Sequence, residues 1–79
     1  MGQAARMNRA ALQRRLQNAE GLLLRVEKNV VFQREMIATL ERGGHDVKAA
    51  KMFLKWVEAQ QAKLVAERER LFKQLAKRS

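Results

Sequence analysis

The stretch Gly43-Gly44-His45-Asp46 decides how this chain folds, because it is the clearest interruption between two long segments with helical periodicity. Glycine readily takes the left-handed conformation that closes a helix, and two glycines stand together here. The carboxylate of Asp46 can accept hydrogen bonds from the first free N–H groups of a following helix. We therefore predict that one helix ends here, that residues 43–46 form a tight turn, and that a second helix follows.

The segment before the turn is predicted to form helix 1, from about Ala4 to Arg42. Its apolar positions alternate steps of four and three residues, which is the heptad spacing of helices that pack along one another. This first seam consists of Leu12, Leu16, Ala19, Leu23, Val26, Val30, Gln33, Ile37 and Leu40. Gly21 interrupts the segment, but the heptad phase is the same on both sides of it. We predict a continuous helix, with a break at Gly21 as the alternative.

The segment after the turn is predicted to form helix 2, from about Val47 to Lys77, with the same spacing. The second seam consists of Val47, Ala50, Leu54, Val57, Gln61, Leu64, Arg68, Leu71 and Leu75. Folding the chain about the turn sets Ile37 against Leu54 and Leu16 against Leu75. The chain has no proline, which suits long helices. Residues 1–79 are therefore expected to form one domain, an all-α, coiled-coil-like antiparallel hairpin of two helices.

A further set of apolar residues lies outside both seams, and one hairpin cannot cover all of it. It comprises Leu22, Leu24, Val31, Phe32, Met36, Met52, Phe53, Trp56, Val65 and Phe72. Large exposed apolar patches usually mark interfaces, and aromatic and Met residues are favoured there. We expect a homo-oligomer, first a dimer forming a four-helix bundle, with Phe32, Met36, Met52, Phe53 and Trp56 at the interface. The alternative is a broad seam with a few exposed apolar residues.

The net charge of +9 is concentrated at the two ends of the chain. An antiparallel hairpin brings these ends together, so the open end is basic while the tip is nearly neutral. Helix dipoles explain cations at the end of helix 2 but not at the start of helix 1. The candidate anion-binding residues are Arg6, Arg9, Arg14, Arg15, Arg70, Lys73, Lys77 and Arg78. A nucleic acid, an acidic protein, a lipid surface or simple solvation could each explain them.

Catalytic and metal chemistry is not expected, because the residue types that carry it are missing or isolated. His45 is the only histidine, there is no cysteine, and no glycine-rich phosphate loop is present. We predict no enzyme activity, no catalytic or metal-binding residue and no cofactor. Glu58, Glu67 and Glu69 are interpreted as solvated ion pairs within their helix. No apolar run is long enough for a membrane span. The basic start of the chain could alternatively be a transit peptide, although it is poor in serine.

Several short elements resemble a pattern found in short, uncharacterised bacterial proteins. They cover about half of the chain, and the Gly-His-Asp turn is the most specific of them. The elements are Gln33-Arg34-Glu35 before Ile37 and Leu40, Gly44-His45-Asp46, Glu67-Arg68-Glu69-Arg70-Leu71, and Leu75-Ala76. The resemblance implies a helical hairpin in a bacterial cytoplasm and no particular activity. In size, helicity and a Gly-x-Asp turn the chain is also similar to the GapR-type nucleoid proteins, but the DNA-contacting lysines of that family have no clear match.

Two functions from different classes follow from these observations. The first is a non-enzymatic oligomeric helical module whose basic open end binds an anionic partner, with nucleic acid favoured and without sequence specificity. The second is a structural or adaptor coiled coil that binds a protein helix through an apolar face, with Phe53 and Trp56 as anchors. Phosphate binding weakens steeply with salt whereas apolar docking does not, so salt dependence separates the two.

Overall fold

The computed structural model describes residues 8–77 and contains two helices joined by a short connection. Helix α1 spans Arg9–Arg42 and helix α2 spans Lys48–Lys77. The two helices pack against each other along a molecule that measures 61 × 17 × 15 Å. No strand occurs in residues 8–77. The predicted all-α helical hairpin is therefore confirmed.

Helix α1 begins later than the sequence predicts, at Arg9 rather than near Ala4. Asn8 has an extended backbone (φ −75°, ψ 172°), and its side-chain oxygen accepts a hydrogen bond of 2.7 Å from the backbone N–H of Ala11. This is an N-cap, which satisfies one of the N–H groups that have no partner in the first turn of a helix. Residues 4–7, which the prediction included in helix 1, lie outside the described residues.

Backbone N–H groups of the connection between the helices close the end of α1. The N–H of Gly44 donates to the carbonyl of Glu41 at 3.0 Å, and the N–H of His45 donates to the carbonyl of Leu40 at 2.9 Å. This is the Schellman arrangement, which requires a left-handed residue just past the helix. Gly44 fills that position with a φ of 78°. Gly43 has a φ of −84°, so only one of the two glycines uses the left-handed conformation.

Asp46 lies just before α2 and supports its first turn. Its Oδ1 atom accepts a hydrogen bond of 3.0 Å from the backbone N–H of Lys48. The regular helix begins at Lys48 instead of the predicted Val47, whose carbonyl accepts the N–H of Lys51 at 2.9 Å. A difference of one residue at a helix end is within the usual variation of helix boundaries. The side chain of Asp46 thus serves the beginning of the second helix, where the charge of a carboxylate is also favourable.

The hydrophobic core is the interface between the two predicted seams. Every residue of both seams is buried or half-buried, including Gln33, Gln61 and Arg68. Each buried apolar residue of the described part belongs to a seam: Leu12, Ala19, Leu23, Val30, Ile37, Val57, Leu71 and Leu75. Toward the open end, Leu16 packs against a cluster formed by Leu12, Ala19, Leu71 and Leu75. The seams therefore meet along the length of both helices, as the heptad spacing predicts.

Helix α1 passes through Gly21 without interruption. A side chain at this position would have free space, because an added Cβ atom would have no neighbour within 4 Å. The predicted continuous helix is therefore confirmed, and the alternative of a break at Gly21 is not observed. Since glycine loses more backbone entropy than alanine on helix formation, Gly21 lowers the stability of the hairpin.

We predict that Gly21→Ala stabilises the protein by about 0.5–1 kcal/mol, because alanine is favoured in a helix interior and meets open space here. The matched control is Gly44→Ala, which also faces open space but has a positive φ. There, alanine is expected to destabilise by about 1–2 kcal/mol. Urea unfolding followed by circular dichroism measures both. Destabilisation by Gly21→Ala would contradict the continuous helix.

A second prediction concerns the core. Leu71→Ala is expected to lower the free energy of unfolding by about 2–4 kcal/mol, because this side chain is only 2% exposed and truncation leaves a cavity. Leu24→Ala is the matched control, since Leu24 is 60% exposed and should change stability by less than about 0.5 kcal/mol. Equal losses in the two variants, measured by chemical unfolding, would mean that the seam assigned to α2 is wrong.

Candidate nucleic-acid interface and apolar flank

The described part of the chain places six of the eight candidate anion-binding residues at the open end. All six are exposed: Arg9, Arg14, Arg15, Arg70, Lys73 and Lys77. The other two, Arg6 and Arg78, lie outside the described residues. Arg9 connects the two helices there, because its guanidinium donates a hydrogen bond of 3.3 Å to the carbonyl of Leu75. The hairpin thus brings together cations from both ends of the sequence.

Glu67 neutralises part of this positive charge. Its Oε2 atom lies 2.8 Å from the guanidinium of Arg15 on the other helix, and its Oε1 atom forms an ion pair with Arg70 one turn along α2. The spacing of charges in the sequence predicted ion pairs within α2, whereas the bridge from Glu67 to Arg15 depends on how the helices align. Two of the candidate cations are therefore partly compensated, which weakens their attraction for an external anion.

The charge of three other candidates at the open end is not compensated by an ion pair within the described residues. Arg14, Lys73 and Lys77 are exposed, and none of them forms an ion pair with another described residue. Counted along the helices, they lie at nearly the same level, about 37–44 Å from the tip. They come from both helices and project in different directions, so cations surround the open end. These three are the best candidates for contacts with phosphate groups.

One row of cations on α2 was not predicted from the sequence. Lys63, Arg70 and Lys77 are spaced by seven residues on α2, and all three are exposed. Residues seven apart on a packed helix lie on the same side, about 10.5 Å from one to the next. The row extends the basic surface from the open end toward the middle of the hairpin. Its spacing is visible in the sequence, but Lys63 lies within residues 20–67, between the two basic ends, where the net charge is only +1.

Ion pairs between the helices define the two long sides of the hairpin. The Arg15–Glu67 pair marks one side, which we call the Glu67 side. The Arg34–Glu58 pair at 2.7 Å and the Lys51–Glu41 pair at 2.7 Å mark the opposite side, which we call the Glu58 side. Because residues seven apart share a side, Met36 belongs with Arg15, and Phe53 belongs with Glu67. The same rule places Phe72 on the Glu58 side.

Near the tip, the Glu67 side is apolar. Met36 and Phe53 lie on this side, and Phe32 and Trp56 are one helical turn from them. We call these four residues the aromatic flank. Phe32 and Trp56 are each 59% exposed and Phe53 is 46% exposed, whereas Met36 is half-buried. The rings of Phe53 and Trp56 stack with centroids 5.9 Å apart. Four of the five predicted interface residues therefore form one surface.

Leu22 is 49% exposed and also lies on the Glu67 side, seven residues from Arg15, but closer to the open end than the aromatic flank. The other exposed apolar residues are spread over other surfaces. Met52, the fifth predicted interface residue, is 66% exposed and follows the outer face of α2 next to the aromatic flank. Leu24 and Val31 line an open depression on the outside of α1. Phe72 is 48% exposed on the Glu58 side. The aromatic flank is thus distinguished by having large apolar side chains from both helices side by side.

The described residues contain no group of three or more His, Asp or Glu side chains that could hold a metal ion. His45 is exposed in the connection between the helices. Neither α1 nor α2 is long and apolar enough to cross a membrane.

Comparison with protein-family models, with curated proteins and with solved structures gives no significant match for this chain. The basic open end and the aromatic flank are therefore the features from which a function can be inferred.

Proposed function

We propose that this protein is a non-enzymatic helical module that pairs with a second copy and binds an anionic polymer, nucleic acid first, at its basic open end. The observation that carries the proposal is the cluster of exposed cations without ion pairs in the described chain, Arg14, Lys73 and Lys77. Concentrated like charge opposes folding, so cations gathered around one end of the hairpin favour an external anion as their partner. Self-association is supported by the exposed aromatic flank.

Binding of this kind is expected to be indifferent to nucleic-acid sequence. The open end offers Lys and Arg side chains that contact phosphates, and phosphate contacts position a protein without reading bases. Three exposed rings, those of Phe32, Phe53 and Trp56, lie toward the tip, whereas Phe72 is 48% exposed beside Lys73 at the open end. A single ring cannot stack on successive bases, so a preference for single strands is not expected there. Duplex DNA of any sequence is the first ligand to test.

A second candidate function is supported by the stacked and exposed pair Phe53–Trp56. In this alternative the hairpin is an adaptor, and the aromatic flank receives an amphipathic helix of another protein. Docking of a helix into an apolar surface uses anchors at helical spacing and has little dependence on salt. Tight binding that persists at high salt, with no binding to nucleic acid, would favour the adaptor.

The main test is fluorescence anisotropy with unrelated labelled duplexes and single strands at several salt concentrations. We expect all duplexes to bind with similar affinity. With about five phosphate contacts, the affinity should fall several-hundredfold between 50 and 200 mM salt. The variant Arg14→Gln, Lys73→Gln, Lys77→Gln should lower affinity at low salt by at least about tenfold and reduce the salt slope by about 2–3.

The matched control removes three positive charges near the tip, in the variant Arg42→Gln, Lys48→Gln, Lys55→Gln. These residues are exposed and are absent from the ion pairs of the hairpin. If the open end is the binding surface, the control should keep most of the affinity and the salt slope. Equal losses in the two variants would indicate attraction to net charge alone. The absence of binding at low salt would exclude the nucleic-acid function.

A substitution at Glu67 is predicted to raise the affinity for nucleic acid instead of lowering it. Glu67→Gln removes the carboxylate that pairs with Arg15 and Arg70, so both guanidinium groups become more available to phosphate. Affinity at low salt is expected to rise about 3–10-fold, and the salt slope to become steeper by about 1–2. Glu58→Gln is the control, because it also removes an ion pair between the helices but on the Arg34 side. Unchanged affinity in Glu67→Gln would contradict the role given to the open end.

A further inference from the structure

The aromatic flank has the properties of a surface that a second copy of this chain covers. In a symmetric pair it would contribute three half-exposed aromatic side chains from each chain. Together these would bury on the order of 500 Å² of apolar surface, since one aromatic side chain buries about 150–250 Å² when fully covered. That is about a third of a standard interface of roughly 1,600 Å². Met36, the half-buried fourth member of the flank, and its half-buried neighbours Asn29 and Gln60 add to the surface.

The charges around the aromatic flank select the orientation of the second copy. Toward the open end, the Glu67 side continues with Arg25 and Lys63, which are exposed and make no ion pair with a described residue. Toward the tip lies Asp46, which is exposed and, seven residues before Phe53, belongs to the Glu67 side, whereas the tip cations Arg42 and Lys48 lie on other sides. A parallel pair would set the cations of one chain against the same cations of its partner. An antiparallel pair would instead set Asp46 of each chain near Arg25 and Lys63 of the other.

Distances along the hairpin agree with the antiparallel arrangement. With a rise of 1.5 Å per residue, Arg25 lies about 26 Å from the end of α1 at Arg42. The midpoint between Arg25 and the tip is therefore about 13 Å from the tip. Trp56 lies about 12 Å from the start of α2, and Phe32 about 15 Å from the end of α1. A two-fold axis that pairs Asp46 with Arg25 thus passes through the aromatic flank.

We propose that two copies of this chain dock antiparallel through the aromatic flank, which places their basic open ends at opposite ends of the dimer. Because each hairpin is 61 Å long and the axis lies about 13 Å from its tip, the dimer should be about 95 Å long. This arrangement also keeps the two clusters of cations far apart, which avoids their mutual repulsion. Given the anion binding proposed above, on which this consequence rests, one dimer bridges two nucleic-acid segments.

The orientation is tested by a single spin label in each chain. The sequence contains no cysteine, so Gln74→Cys provides one labelling site at the open end. Pulsed electron paramagnetic resonance should give a distance between labels of about 50 Å for the antiparallel dimer. A parallel dimer would place the labels about two helix diameters apart, roughly 20 Å. The long distance supports the proposal, and the short distance overturns it.

The surface is tested by mutation, with light scattering for mass and circular dichroism for helix content. Phe53→Glu with Trp56→Glu should weaken the dimer at least about 100-fold, since interface aromatics carry much of the binding energy. The control is Phe72→Glu, because Phe72 is about as exposed as Phe53 but lies on the opposite side. It should leave the dimer intact. A helical but monomeric wild-type protein at micromolar concentration overturns the proposal, as does equal dissociation by the control.

The charge contacts are tested by Asp46→Asn, which keeps a side-chain acceptor for the N–H of Lys48 while removing the charge. We expect the dimer to dissociate about 3–10-fold more readily at low salt, and no change from the wild type would overturn the antiparallel contact.

Bridging of two nucleic-acid segments by one dimer is measured separately, by capture of a labelled duplex on beads carrying another duplex. Because the distance and mass measurements contain no nucleic acid, failure of anion binding would abolish capture and leave them unchanged.

Discussion

Apolar contact along the two seams holds this hairpin together, since in residues 8–77 each helix has only the other to pack against. The spacing of four and three residues keeps the apolar stripe of each helix facing its partner over more than 30 Å. Polar seam residues such as Gln33 and Gln61 are half-buried within this contact. All other features, including which charges meet, depend on this alignment.

Much of the fold follows directly from the sequence because the relevant signals are local or periodic. The heptad spacing predicted every seam residue, and the Gly-Gly pair predicted the end of α1. The beginning of α1 was misplaced, because the capping hydrogen bond of Asn8 depends on one local conformation that the spacing of apolar residues does not reveal. The bridge from Arg15 to Glu67 could not be predicted, since residues so distant in sequence meet only in one particular alignment.

In the candidate sites, too, some features follow from the sequence and others depend on how the helices align. The positions of the cations along the chain predicted a basic open end, but not that Glu67 compensates two of them. Likewise, composition predicted an excess of apolar residues, whereas the side on which they lie follows from the ion pairs between the helices. Phe32, Met36, Phe53 and Trp56 share a surface because the alignment brings the two helices to the same level there. Met52 has the same apolar character and faces outward.

Folding into a hairpin thus separates two kinds of surface along one axis, with an apolar flank near the tip and cations at the open end. The most direct test of this account is a titration of the isotopically labelled protein with a short duplex, followed by backbone amide NMR. We expect the largest shift changes around Arg14, Lys73 and Lys77, and almost none in the connection between Gly43 and Val47. Changes centred on that connection or on Trp56 would contradict the assignment of the open end as the anion-binding surface.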